Sequence, residues 1–113
     1  MGLFTRAAHV DAGSVAEQLA NRSVLVIDVR QPAEWRSGHI RGSLNLPLTQ
    51  LASRLHRIPN DKTIVTVCAS GHRSALAARI LTRAGYQAEN LKGGMHAWTR
   101  AGLPLNPARN KPR

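Results

Sequence analysis

The chain has 113 residues and a mass of 12.3 kDa, enough for one domain with its own core but not for two. Sixteen Lys and Arg against six Asp and Glu give a formal charge of +10, which favours anionic partners, while one Tyr, one Phe and two Trp are too few for a base-stacking platform. No apolar run approaches the roughly 18 to 20 residues of a membrane-spanning helix, and the single cysteine, Cys68, excludes any disulfide within the chain.

In chain order, Met1 to Arg6 has no apolar signal core, and with the lone thiol this points to a reducing, cytoplasmic compartment. Short β-branched runs then alternate with helical stretches and no internal repeat, the pattern of a parallel α/β sheet. Residues 10–20 read as a weak strand followed by a helix with Ser14 as its N-cap. Residues 24–27 read as a strand buried on both faces, because they do not alternate apolar with polar, and Asp28 falls just past its end. Pro32 opens a short helical turn through Trp35, residues 44–46 form a brief extended piece, and 48–57 a helix that stops at Pro59, Asn60 and Asp61.

Residues 63–67, rich in β-branched side chains, are the clearest strand. A helix over 74–84 follows, with Leu76, Ala77, Ile80, Leu81 and Ala84 as its apolar stripe and Gly85 as its stop. Residues 87–91 read as a further strand and 93–101 as a last helix, closed by Gly102 and Pro104. One domain is expected over 1–105. Residues 106–113, with prolines at 107 and 112 and cations at Arg109, Lys111 and Arg113, read as a basic, disordered tail.

Between the clearest strand and its helix lies Cys68, Ala69, Ser70, Gly71, His72, Arg73. The carboxyl end of a parallel strand is where open α/β sheets place their ligands. A lone cysteine more often packs as a small hydrophobe, but these surroundings favour a reactive one. A short loop with a glycine can turn successive N–H groups to one point, and the helix behind it adds unpaired donors and its positive end. Such a cradle holds an anion, and a sulfur at its focus is stabilised as thiolate. Arg73 supplies a full charge and a fork of donors for an anionic donor molecule, and a cation at a helix start wants a compensating anion. His72 either lines the mouth of this loop or points into solvent.

The run from Cys68 to Ser74 resembles the active-site loop of the rhodanese family of single-domain sulfurtransferases. Two more stretches are similar to the family's flanking signatures, Asp28 to Trp35 continuing through Gly38 to Pro47, and Gly93 to Trp98 continuing to Pro104. The resemblance implies a rhodanese-like α/β fold, about five parallel strands flanked by helices on both faces. It also implies transfer of a sulfane sulfur from a small anionic donor such as thiosulfate to a thiophilic acceptor, cyanide, a thiol or a protein cysteine, through a Cys68 persulfide. Ala69, Ser70, Gly71, His72 and Arg73 would bind the donor, and no metal or organic cofactor is needed. Ala69 is neither the basic residue nor the glycine that named donors go with in the family, so the donor stays open. Arg41 and Met95 also depart from the family's usual residues and read as surface or packing variation.

Asp28, Arg30 and Glu34 follow the second strand, on the same sheet edge as Cys68, and read as organising that edge, with Asp28 and Arg30 close enough to support the site. Trp35 and Trp98 read as core or rim aromatics and His39 as a packed, hydrogen-bonded histidine. The five histidines show no metal-ligand spacing, and the paired Gly93 and Gly94 lack the spacing of a nucleotide loop. Nucleic-acid binding is not indicated. The rival readings are a regulatory rhodanese-like module that only binds a partner, and a cysteine phosphatase or arsenate reductase, whose loops are longer than the four residues between Cys68 and Arg73.

Overall fold

A computed structural model of the chain describes residues 8–107. The signal-free start read at Met1 to Arg6 and the tail from residue 108 lie outside the described residues. Five strands pair side by side, β1 (Ala8–Val10), β2 (Val24–Asp28), β3 (Leu44–Asn45), β4 (Thr63–Val67) and β5 (Ala88–Leu91). All the pairings are parallel and the order is β1-β5-β4-β2-β3, so β4 is central. The helices are α1 (Ala12–Ala20), α2 (Pro32–Arg36), α3 (Leu48–Leu51), α4 (His72–Arg83) and α5 (Gly94–Arg100).

The two-residue period of a strand divides the core into two layers. Val24 and Val26 of β2, with Val65 and Val67 of β4, pack with Val15 of α1 and with Met95 and Trp98 of α5. Ile27 of β2 and Ile64 of β4 point the other way, onto Leu51 of α3 and Ala77, Ala78 and Leu81 of α4. Helices therefore cover both faces, which is why the central strands are mostly apolar, their buried polar side chains Asp28 and Thr66 being hydrogen-bonded.

Several local readings change. Asp11, not Ser14, caps α1, its carboxylate accepting the Ser14 N–H at 2.8 Å. Asp28 is the last residue of β2 rather than the first beyond it. The helix expected over 48–57 breaks into α3 and a 3-10 segment, Ala52–Arg57, with Arg54 at φ −123° and ψ 20°. In that region Leu51 is the one buried residue of either segment, and Ser53 Oγ donates back to the Gln50 carbonyl, so little packing holds a longer α-helix. The stripe read on α4 is rotated: Leu76 is 42 % exposed, and the buried face is Ser74, Ala77, Ala78 and Leu81. Asn106, assigned to the tail, is held to His39 by paired backbone hydrogen bonds of 3.1 and 2.8 Å.

Candidate active site

The chain leaves β4 at Val67 and enters α4 at His72, with Cys68 to Gly71 between. Gly71 has φ 106°, a left-handed value that a side chain would strain, and this turn aims its N–H at Cys68 Sγ, 3.1 Å away. The first turn of α4 then brings the Ser74 N–H to 3.4 Å and the Ser74 hydroxyl to 3.3 Å from the same sulfur. Ser74 stands on the apolar face of its helix and is fully buried. Burial alone would push the Cys68 thiol up. The Ser74 hydroxyl, the Ser74 and Gly71 amides and the Ser70 amide outweigh it and hold the thiol below its ordinary value.

The far side of the loop is pinned by α5. Its Met95 N–H bonds the Cys68 carbonyl at 2.8 Å and its His96 N–H the Ala69 carbonyl at 3.1 Å. A Cβ on Gly94 would lie 2.3 Å from the Cys68 carbonyl oxygen and 2.7 Å from the Ala69 carbonyl carbon, so only glycine allows this approach. With its carbonyls engaged outward, the loop keeps its amides for the sulfur. Asn90 of β5 braces the loop from below: its Nδ2 donates to the Gly71 carbonyl at 3.3 Å, and its Oδ1 accepts the Ser74 hydroxyl.

Of the residues read from the sequence, Ala69, Ser70, Gly71, His72 and Arg73 all surround Cys68, in different ways. Cys68 itself is 1 % exposed, whereas Ser70 and His72 lie at the surface and touch each other, Ser70 Oγ to His72 Nδ1, at 3.1 Å. Arg73 does not present a free fork. Both its terminal nitrogens donate to the Glu34 carboxylate of α2, at 2.9 and 3.1 Å, and Glu34 is the compensating anion that a cation at this helix start requires. The bond to Arg73 holds the Glu34 carboxyl down to about 2. Asp28 and Arg30 form a buried ion pair, 2.7 Å at its closest, and Arg30 also donates to the Gly38 carbonyl. They shape the neighbouring connection without touching the sulfur. His39 is packed as read, stacked on Trp35 with ring centroids 3.7 Å apart.

Ser74 and Gly94 fall within the family-like stretches, but the sequence assigned no role at the site to them or to Asn90, and it did not pair Glu34 with Arg73. The signal for Ser74 was present, a polar residue in register with the stripe Ala77, Ala78 and Leu81. Two recesses, about 460 and 490 Å³, lie at the amino ends of β4 and β5 beside Thr63 and Gln87, away from the cysteine, and no nucleophilic thiol lines them.

An open parallel α/β domain, with one cysteine at the carboxyl end of its central strand inside a ring of amides, defines a class of thiolate or anion-handling proteins. The chain belongs to the rhodanese-like domain family, whose model matches residues 11–101. It is 41% identical over 99 residues to a sulfurtransferase of Allochromatium vinosum, covering 86% of this chain and 92% of that protein. It is 38% identical over 101 residues to an HTH-type transcriptional regulator of Mycobacterium tuberculosis, covering 85% of this chain but only 45% of the regulator. Among solved structures, a rhodanese-related protein of Thermoplasma volcanium superposes with a TM-score of 0.82 at 31% identity, over 87% of this chain and 96% of the other. These likenesses support a role in sulfur transfer at that coarse level.

Proposed function

We propose that this chain is a sulfurtransferase that carries a sulfane sulfur on Cys68. The observation that carries the reading is the convergence of the Gly71 and Ser74 amides and the Ser74 hydroxyl on one sulfur whose ionisation they favour.

In the first half-reaction the Cys68 thiolate attacks the outer sulfur of a donor such as thiosulfate. A bond forms from Sγ to that sulfur, the donor's S–S bond breaks, and sulfite leaves with the electron pair. The charge moves one atom outward, where the loop amides remain to receive it. In the second half-reaction an acceptor such as cyanide, a thiol or a protein cysteine attacks the outer sulfur, the bond to Sγ breaks, and the thiolate is restored. Cys68 is the only cysteine in the sequence, so no resolving thiol within the chain intercepts the persulfide.

The engagement of Arg73 with Glu34 revises what the arginine does. The pair is locally neutral and partly exposed, so anion binding falls mainly to the amides, while Arg73 lends the sulfur a charge held at fixed orientation. Intact mass after mixing with thiosulfate tests the reading. A gain of one sulfur atom, lost again on adding cyanide, is expected; an unchanged mass, or turnover of an aryl phosphate instead, overturns it.

A further inference from the structure

The Ser74 hydroxyl has one hydrogen and two claimants. Its Oγ stands 3.3 Å from Cys68 Sγ and within hydrogen-bond reach of Asn90 Oδ1. The Asn90 amide orientation is not free: Nδ2 faces the Gly71 carbonyl, which can only accept, and reaches His9 Nδ1 at 3.1 Å with its other hydrogen. Oδ1 must therefore face Ser74. Asn90 is 2 % exposed, so when the hydroxyl turns away no bulk water replaces it, and an unpartnered buried acceptor is costly.

We propose that Asn90 is a positioning residue that takes the Ser74 hydrogen whenever the Cys68 sulfur is uncharged and gives it up when the thiolate forms. No covalent bond changes in this step; the O–H rotates about the Ser74 Cβ–Oγ bond from one acceptor to the other. In the thiol, Ser74 donates to Asn90 and its lone pairs face the S–H. In the thiolate, the hydrogen turns to the sulfur. In a persulfide the charge sits on the outer sulfur, and the hydrogen returns to Asn90. Asn90 thus opposes ionisation of the resting thiol and favours the loaded state, in which Sγ no longer needs the hydroxyl. The proposal rests on the reading of Cys68 as the reactive sulfur, but its test reads ionisation without any donor, so a failure of sulfur transfer leaves it standing or falling separately.

The test is a pH titration of thiolate absorbance, read as the difference from Cys68→Ser so that the signal of the one tyrosine cancels. Arg73 and His72 on α4, Glu34 on α2, Asp28 and Arg30 at the end of β2, His9 on β1 and His96 on α5 are charged or titratable groups near the loop, and all are retained in every variant. Asn90→Leu, similar in shape but without an acceptor, is expected to lower the midpoint by about one pH unit, the worth of one hydrogen bond to a charged group. Asn90→Asp is expected to raise it, because a carboxylate holds the hydroxyl and repels the thiolate. The Asn90→Leu shift should vanish in a Ser74→Ala background. A midpoint unchanged or raised by Asn90→Leu, or a shift that persists with Ser74→Ala, overturns the proposal. If Asn90→Leu does not fold, Asn90→Asp decides: a midpoint unchanged or lowered overturns the proposal, and a rise that is smaller with Ser74→Ala supports it.

Discussion

The Glu34 carboxylate and the Arg73 guanidinium meet fork to fork, at 2.9 and 3.1 Å, tying the helix after β2 to the helix that carries the cysteine loop. Both side chains are more than a third exposed, 37% and 38%, so the pair adds little to stability, below about 1 kcal/mol. Its effect is on the availability of Arg73. Glu34→Gln releases the guanidinium, and the KM for thiosulfate is expected to fall by about two- to fivefold, the scale of one screened charge. Arg73→Ala should raise that KM, and should do so more than for a neutral polysulfide donor. Equal changes with both donors in steady-state kinetics would contradict an electrostatic role. Because Arg73 holds the Glu34 carboxyl at about 2, the contrast should persist in mildly acidic buffer.

Cys68→Ser removes the thiolate while leaving a side chain of similar size, and sulfur transfer is expected to disappear with the circular dichroism spectrum unchanged. A linked effect appears in stability. The folded thiol ionises below its ordinary value of 9.0, so its contribution is fully present above that value and is lost as pH falls through the folded one. Native stability should therefore rise with pH across this window relative to Cys68→Ser. Parallel denaturation midpoints for the two proteins would mean the hydrogen bonds to Sγ do not favour the charged form.

Gly94→Ala tests the pinning of the loop by α5. The new methyl would sit 2.3 Å from the Cys68 carbonyl oxygen, its three nearest neighbours all backbone atoms, at a position whose φ is 59°. Backbone cannot step aside as a flexible side chain does, so the helix or the loop must shift. A loss of about 2 to 4 kcal/mol in denaturant unfolding is expected, together with a higher thiol midpoint as the amides lose their aim. A variant as stable as the native protein would mean the contact is easily relieved.

What could be read from the residues, and what could not, follows from the range of the forces involved. The β4 strand and the glycine turn after Cys68 were legible because β-branched runs and a glycine before a helix are local signals. The rotated face of α4 was not: Leu76 is apolar yet 42 % exposed, while Ser74 takes the inner position with its hydroxyl 3.3 Å from Cys68 Sγ, across the loop. The break after Leu51 was equally hidden, since it reflects how little the 3-10 segment buries rather than any breaker residue. Pairings such as Glu34 with Arg73 or Ser74 with Asn90 join segments 39 and 16 residues apart, and composition says nothing about which polar groups meet. The arginine was assigned to an external anion for that reason, although the need for a partner anion was plain.

Asp28 and Arg30 make the last prediction. The two are buried, 0 % and 6 % exposed, and joined by three hydrogen bonds between side chains, while Arg30 also holds the Gly38 carbonyl at 2.8 Å and the Asp28 carboxylate accepts the Arg30 N–H at 3.0 Å. Removing one member leaves a charge in the interior without its counterion, so Asp28→Ala is expected to cost about 3 to 5 kcal/mol. Removing both takes the stranded charge away, and Asp28→Ala with Arg30→Met should cost less than Asp28→Ala alone, because the methionine fills the space of the arginine stem. Chemical denaturation of the three proteins checks the order. If the pair serves the fold alone, persulfide formation per folded molecule in the double variant should stay within about twofold of native. A larger loss in a well-folded double variant would place the pair in the reaction itself, through the connection that carries Gly38 past Ala69.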